Sequence, residues 1–159
     1  MDQVVAELMR AFDLLTQEGH IRATAAQTTG QRVFREFRNS AISDAVADPS
    51  IDVRFAVFAS ADTGAAGAEF VIRKDAESAF FMRLREATVN LTTNEAKGLF
   101  FLQGRTEKGD KTPSNNRITL LLLGWNTNIN NIEETSRRCE AALLSLEQVV
   151  SRLITLSRA

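Results

Sequence analysis

The chain has one histidine, His20, and one cysteine, Cys139. Any serine or cysteine triad would have to use His20. His20 follows an expected helix end, where an imidazole can simply meet the last carbonyls of the helix. Cys139 falls at an apolar position of another expected helix. A small thiol in such a place is a packing group, whereas a reactive one needs an exposed, electropositive setting. Zinc calls for several histidine or cysteine ligands, more than this chain holds. Asp44, Asp48, Asp52, Asp62 and Glu69 lack the alternating-ligand spacing and central glycine of a calcium loop, so they read as solvated surface charge. Gly64-Ala65-Ala66-Gly67 has no lysine and hydroxyl beside it and opens no helix, so it is turn chemistry and not a phosphate loop. Lys108 and Lys111 flank Gly109 in no matching pattern and read as a surface loop. No catalytic, cofactor-binding or metal-binding residue is assigned, and neither enzymatic activity nor a cofactor is expected.

The remaining candidates are contact residues. Arg32, Arg35 and Arg38 would stand along one side of an expected second helix. There they could grip phosphates or a partner's carboxylates, or form a solvated edge near Glu36 and Asp44. Nucleic-acid binding would need a wider basic surface or exposed aromatics, and the net charge is only −1. No nucleic-acid partner is expected.

The elements that must position these groups follow from periodicity. With 159 residues, 44% hydrophobic and 25% charged, the chain has the size and composition of a single globular domain with a sizeable core. Ten phenylalanines and no tyrosine suggest aromatics used as core filling. Arginine outnumbers lysine 15 to 4, the pattern of a GC-rich source. Met1-Asp2-Gln3 opens no basic-then-apolar run, no stretch approaches 18 apolar residues, and a single thiol forms no intrachain disulfide. A cytoplasmic protein without a membrane span is expected.

Asp2 can cap a first helix to about Glu18, with Val5, Leu8, Phe12 and Leu15 on one face and Gly19 at its end. Residues 20–30 read as a polar connector. A second helix is expected from about Gln31 to Val46, burying Val33, Phe34, Phe37, Ala41 and Ala45 and stopped by Asp48-Pro49. Residues 1–46 would then be helical. The pattern switches to period two at Ile51–Phe58, and a sheet is expected over 51–125. Ser60 to Gly67 is a hairpin loop and Glu69 to Lys74 the returning strand. Residues 79–92 fit a bulged strand, or else a short helix from Asp75 to Ala87 followed by a strand. Gly98 to Arg105 and Arg117 to Trp125 are further strands. The run Leu120 to Leu123 is apolar on both faces and asks for cover on both sides.

The last segment, 131–159, is the most regular. Asn131 and Glu134 have capping-box spacing, and apolar residues recur every seven positions at Ile132, Cys139, Leu146 and Leu153, joined by Ala142, Val149 and Leu156. This narrow seam must be covered by the protein's own sheet or by another copy. At about 1.5 Å per residue the helix outruns a strand of eight or nine residues, which favours contact outside the chain.

The fold class expected is α+β: two N-terminal helices, a mainly antiparallel sheet of about five strands, and a long amphipathic C-terminal helix. The function expected is a non-enzymatic interaction or assembly protein that self-associates through that helix and the sheet, with another protein as a further partner. The alternative is a small-molecule-binding domain with an apolar pocket, lined by phenylalanines, between sheet and helices.

Overall fold

The computed structural model describes residues 3–15, 20–48, 51–74, 79–94, 99–105, 113–124 and 131–158. The period-two stretch is the middle of the sheet: strand β4 (Ile51–Ser60) buries Ile51, Val53, Phe55, Val57 and Ala59 on one face. A turn in which Gly64 takes φ +76° leads into β5 (Ala66–Lys74). The Ser60 amide closes this hairpin by donating to the Ala65 carbonyl at 2.8 Å. Beyond β5 lie β7 (Pro113–Gly124) and, at the edge, β6 (Leu99–Arg105). On the other side of β4 lies β3 (Arg32–Asn39), whose far edge pairs with β1 (His20–Ala23) and β2 (Gln27–Thr29). Every pairing is antiparallel, in the order β1-β3-β4-β5-β7-β6 with β2 also on β3.

Helices α1 (Gln3–Asp13), α3 (Ala79–Asn94) and α4 (Ile132–Arg158) cover one face of this sheet, and short α2 (Ser40–Val46) follows β3 directly. α4 crosses β4, β5 and β7 and packs against the other three helices. One core joins the layers: Val5, Leu8 and Phe12 from α1, Phe37, Phe55, Phe70 and Leu120 from the strands, Phe81 and Leu84 from α3, and Leu143, Leu146 and Val150 from α4. Apolar residues on one stripe of each helix meet one face of the strands, the two-layer solution for an α+β chain. No helix among the described residues is long and apolar enough to cross a membrane.

Several expectations need correction. Residues 1–46 are not all helical, because β1, β2 and β3 precede α2, and 20–30 contains two strands instead of a connector. The helix expected from Gln31 to Val46 is a strand as far as Asn39. Valine and phenylalanine suit a pleated surface, and the ladder to β4 bonds the backbone of Arg32 to Phe37 in register with Ser60 to Phe55. The helix starts only where Asn39 caps it, its side-chain oxygen accepting the Ile42 amide at 3.1 Å. It ends on Ala47 in the left-handed region, φ +54°. The helix expected to reach Glu18 ends at Asp13, and its expected caps, Asp2 and Gly19, lie outside the described residues, as does Pro49.

Residues 79–94 are helical, as the second alternative had it up to Ala87. The strand it placed after Ala87 is instead a continuation of the helix to Asn94, and Asp75 lies outside the described residues. Phe81, Leu84 and Thr88 are buried at helical spacing, and the Thr88 hydroxyl donates to the Leu84 carbonyl at 2.7 Å. Four of the five expected strands are therefore present as β4 to β7, and β1 to β3 make the sheet seven-stranded. In the leucine run Leu120 is buried, and the side chains of 121–123 lie outside the described residues.

Candidate functional site

α4 begins as its sequence dictates. The Glu134 amide donates to the Asn131 side-chain oxygen at 3.1 Å, satisfying one of the orphan donors of a helix start. The heptad seam then turns inward. Cys139, Ala142, Leu146 and Leu153 are 8% exposed or less and belong to the chain's own core, Ile132 and Val149 are partly buried, and Leu156 is 62% exposed. The sheet and neighbouring helices thus cover most of the residues marked for self-association.

A different stripe of α4 faces outward. Arg137, Ala141, Leu144, Gln148, Ser151 and Thr155 are spaced four, three, four, three and four apart, all are exposed, and all line an open groove of about 910 Å³. Ala41 and Ile42 of α2 form its other wall. Leu144, 54% exposed, is the large apolar side chain of α4 that lines it. This face has coiled-coil spacing but mixed polar chemistry, so no apolar periodicity betrays it.

Asn39 sets the groove's geometry. While its oxygen caps α2, its Nδ2 donates to Glu147 Oε2 on α4, and Glu147 is 7% exposed. One amide therefore pins the strand end, the short helix and the long helix together. Spacing along the chain could not have revealed this residue, because its partner is 108 positions away.

The three arginines do not converge. On a strand, positions 32 and 38 share a face and position 35 takes the other. Arg32 binds Glu69 at 3.0 Å and lies over the Phe58 ring, and Arg38 binds Asp52 at 3.0 Å, on the sheet face away from the helices. Arg54 joins this ladder, 2.9 Å from Asp52 and 3.8 Å from Glu36. Such half-exposed pairs contribute little stability. Arg35 turns the other way, its Nη1 donating to the Phe12 and Leu15 carbonyls at 2.5 and 2.7 Å and its Nε to Thr24 at 2.8 Å. It ties down the end of α1.

His20 opens β1 opposite Asn39, and its side chain lies outside the described residues. Among the described residues no group of three or more histidine, cysteine or acidic side chains could hold a metal ion. Phe12, Phe37, Phe55, Phe70 and Phe81, all 1% exposed or less, belong to the core between sheet and helices.

Cys139 is buried against β4, its thiol donating to the Phe58 carbonyl at 3.4 Å. Burial pushes its pKa from the ordinary 9.0 up to about 12, more than backbone hydrogen bonds lower it. The thiol stays neutral in the fold while the unfolded chain ionises, so this group's contribution is complete below pH 9.0 and is lost as pH climbs toward 12. The slope from this one group approaches about 1.4 kcal/mol per pH unit in that window. Urea midpoints between pH 8 and 10 should fall more for the native chain than for Cys139→Ala, and equal falls would remove the assignment. Comparison of the chain with protein-family models, with curated proteins and with solved structures finds no match.

Proposed function

We propose that this chain is a non-enzymatic interaction or assembly protein that self-associates through its C-terminal helix and its sheet. The observation that carries the reading is the outward stripe of α4, which sets an exposed Leu144 in an open groove after the heptad seam has been used inside the fold. Exposed apolar surface set in a polar rim is a mark of contact sites. The sheet adds a second support. β6, Leu-Phe-Phe-Leu-Gln-Gly-Arg, is an edge strand that pairs only with β7 among the described residues. An edge of this kind is a template for pairing with another chain unless something covers it. A cytoplasmic setting is part of the proposal, supported by the single free and buried thiol.

Native mass spectrometry and sedimentation velocity across a micromolar concentration series test it. A defined multimer without added mass is the expected result. A monomer at every concentration, above all one carrying a bound small molecule, would overturn it in favour of a ligand-binding domain. Leu146→Asp or Leu153→Asp makes a poor probe, since both residues sit in the monomer's core and would report on folding.

A further inference from the structure

Beyond self-association, we infer that the sheet face turned away from the helices is a docking surface for an acidic segment of a partner protein. On that face the strand register sets arginines in a row across five strands. Arg22 of β1 stands opposite Arg38 of β3, Arg54 follows on β4, and Arg73 of β5 stands opposite Arg117 of β7. Adjacent strands are about 4.8 Å apart, so the row is roughly 19 Å long. The strand positions of this face hold six arginines, these five and Arg32, and three carboxylates, Glu36, Asp52 and Glu69. Six positive and three negative charges leave it at +3, on a chain whose net charge is −1.

Like charges directly opposite on neighbouring strands are destabilising, and this face has two such pairs, Arg22 with Arg38 and Arg73 with Arg117. Its own carboxylates do not neutralise them. Asp52 is in register with Arg73, yet its Oδ1 is taken by Arg38 at 3.0 Å and its Oδ2 by Arg54 at 2.9 Å. Glu36 also meets Arg54, and Glu69 meets Arg32. Arg73 is exposed and makes no ion pair among the described residues. Its guanidinium is a planar fork of donors that matches a carboxylate.

The charges choose the occupant. A second copy presenting the same face would set +3 against +3, a repulsion that two-fold symmetry cannot relieve. A nucleic acid carries its negative charge without interruption, and Glu36, Asp52 and Glu69 would stand against its phosphates. A protein segment whose carboxylates are spaced among polar residues meets the arginines without crowding the three acids. Such a contact is weak and salt-sensitive, because these charges stay close to water.

Fluorescence anisotropy with a labelled peptide of about ten alternating glutamate and serine residues, roughly 33 Å long when extended, tests the inference on the native chain. Binding is expected at about 50 mM salt and should weaken at least about tenfold by about 300 mM. Arg73→Gln and Arg117→Gln should each weaken it about fivefold. Melting temperatures of both variants should stay native or rise, because each substitution relieves a like-charge pair. Lower melting temperatures with unchanged binding would mean that the arginines only brace the sheet. No binding of the peptide, or equal binding of its lysine–serine counterpart, would also overturn the inference. A single-stranded oligonucleotide of matched length that binds more tightly than the peptide, and is lost with the same substitutions, would overturn it in favour of a nucleic-acid partner.

Discussion

Phe70→Ala should lower the free energy of unfolding by about 3–5 kcal/mol, the usual cost of deleting a buried aromatic ring. Phe70 is 1% exposed in β5, a strand flanked on both sides, and α4 crosses above it. Its ring centroid is 5.1 Å from that of Phe55, tilted by 43°, within the range where aromatic pairs gain beyond simple burial. Phe37, Phe55, Phe70 and Leu120 follow one another in register across four strands. The hole would thus open in the middle of a row, where flanking strands held by their ladders cannot collapse into it. At about 2–4 °C per kcal/mol for a chain of this size, the melting temperature should drop by roughly 10 °C. Phe70→Leu, which keeps most of the volume, should cost less than half as much. Equilibrium urea unfolding followed by circular dichroism measures both. A loss below about 1 kcal/mol for the alanine variant would mean that Phe70 is not packed as described.

Asn39→Ala should cost about 2–4 kcal/mol, from a residue that sequence inspection would pass over. About 1 kcal/mol is the helix cap, since the Ile42 amide loses its acceptor. The rest comes from Glu147, which is 7% exposed and loses the Asn39 amide as a donor to its carboxylate. Asn39→Asp separates the two terms. It keeps the capping oxygen but sets a second carboxylate against Glu147, so it should be at least as unstable as the alanine variant. A double-mutant cycle of Asn39→Ala with Glu147→Ala should show coupling above about 1 kcal/mol. Additive losses would mean that the two side chains do not interact. Because the groove has α2 as its wall, the same variants should also loosen any dimer formed there.

Much of this architecture was legible before the fold was known. The alternation in Ile51–Phe58 named Ile51, Val53, Phe55 and Val57 on the buried face of the central strand, because successive side chains of a strand point to opposite sides whatever their surroundings. Asn131 and Glu134 marked the start of α4 correctly, since a cap is a bond between residues three apart. The α+β class, the antiparallel sheet and the long terminal helix followed from such local rules.

Where two periodicities fitted the same residues, the local rules could not choose. Val33, Phe34, Phe37, Ala41 and Ala45 make a plausible helix face, yet Arg32–Asn39 is a strand, held by ladders to β4, β1 and β2. Residues 79–94 posed the reverse problem, and helical burial of Phe81, Leu84 and Thr88 against the core resolved it. The arginine trio dispersed for the same reason, since a strand alternates faces where a helix would have aligned them.

The sequence alone determined most of the residues that leave water, such as Val5, Leu8 and Phe12, Ile51, Val53, Phe55 and Val57, and Cys139, Leu146 and Leu153, because hydrophobic periodicity records burial and needs no partner to be named. Only the tertiary structure decided what covers them. From Cys139 to Leu153 the seam of α4 is closed by the chain's own sheet and helices, while Leu156 and the stripe from Arg137 to Thr155 stay exposed. The physical reason is that burial is a property of one residue, while a contact such as Asn39 with Glu147 needs two segments that meet only once the chain has folded.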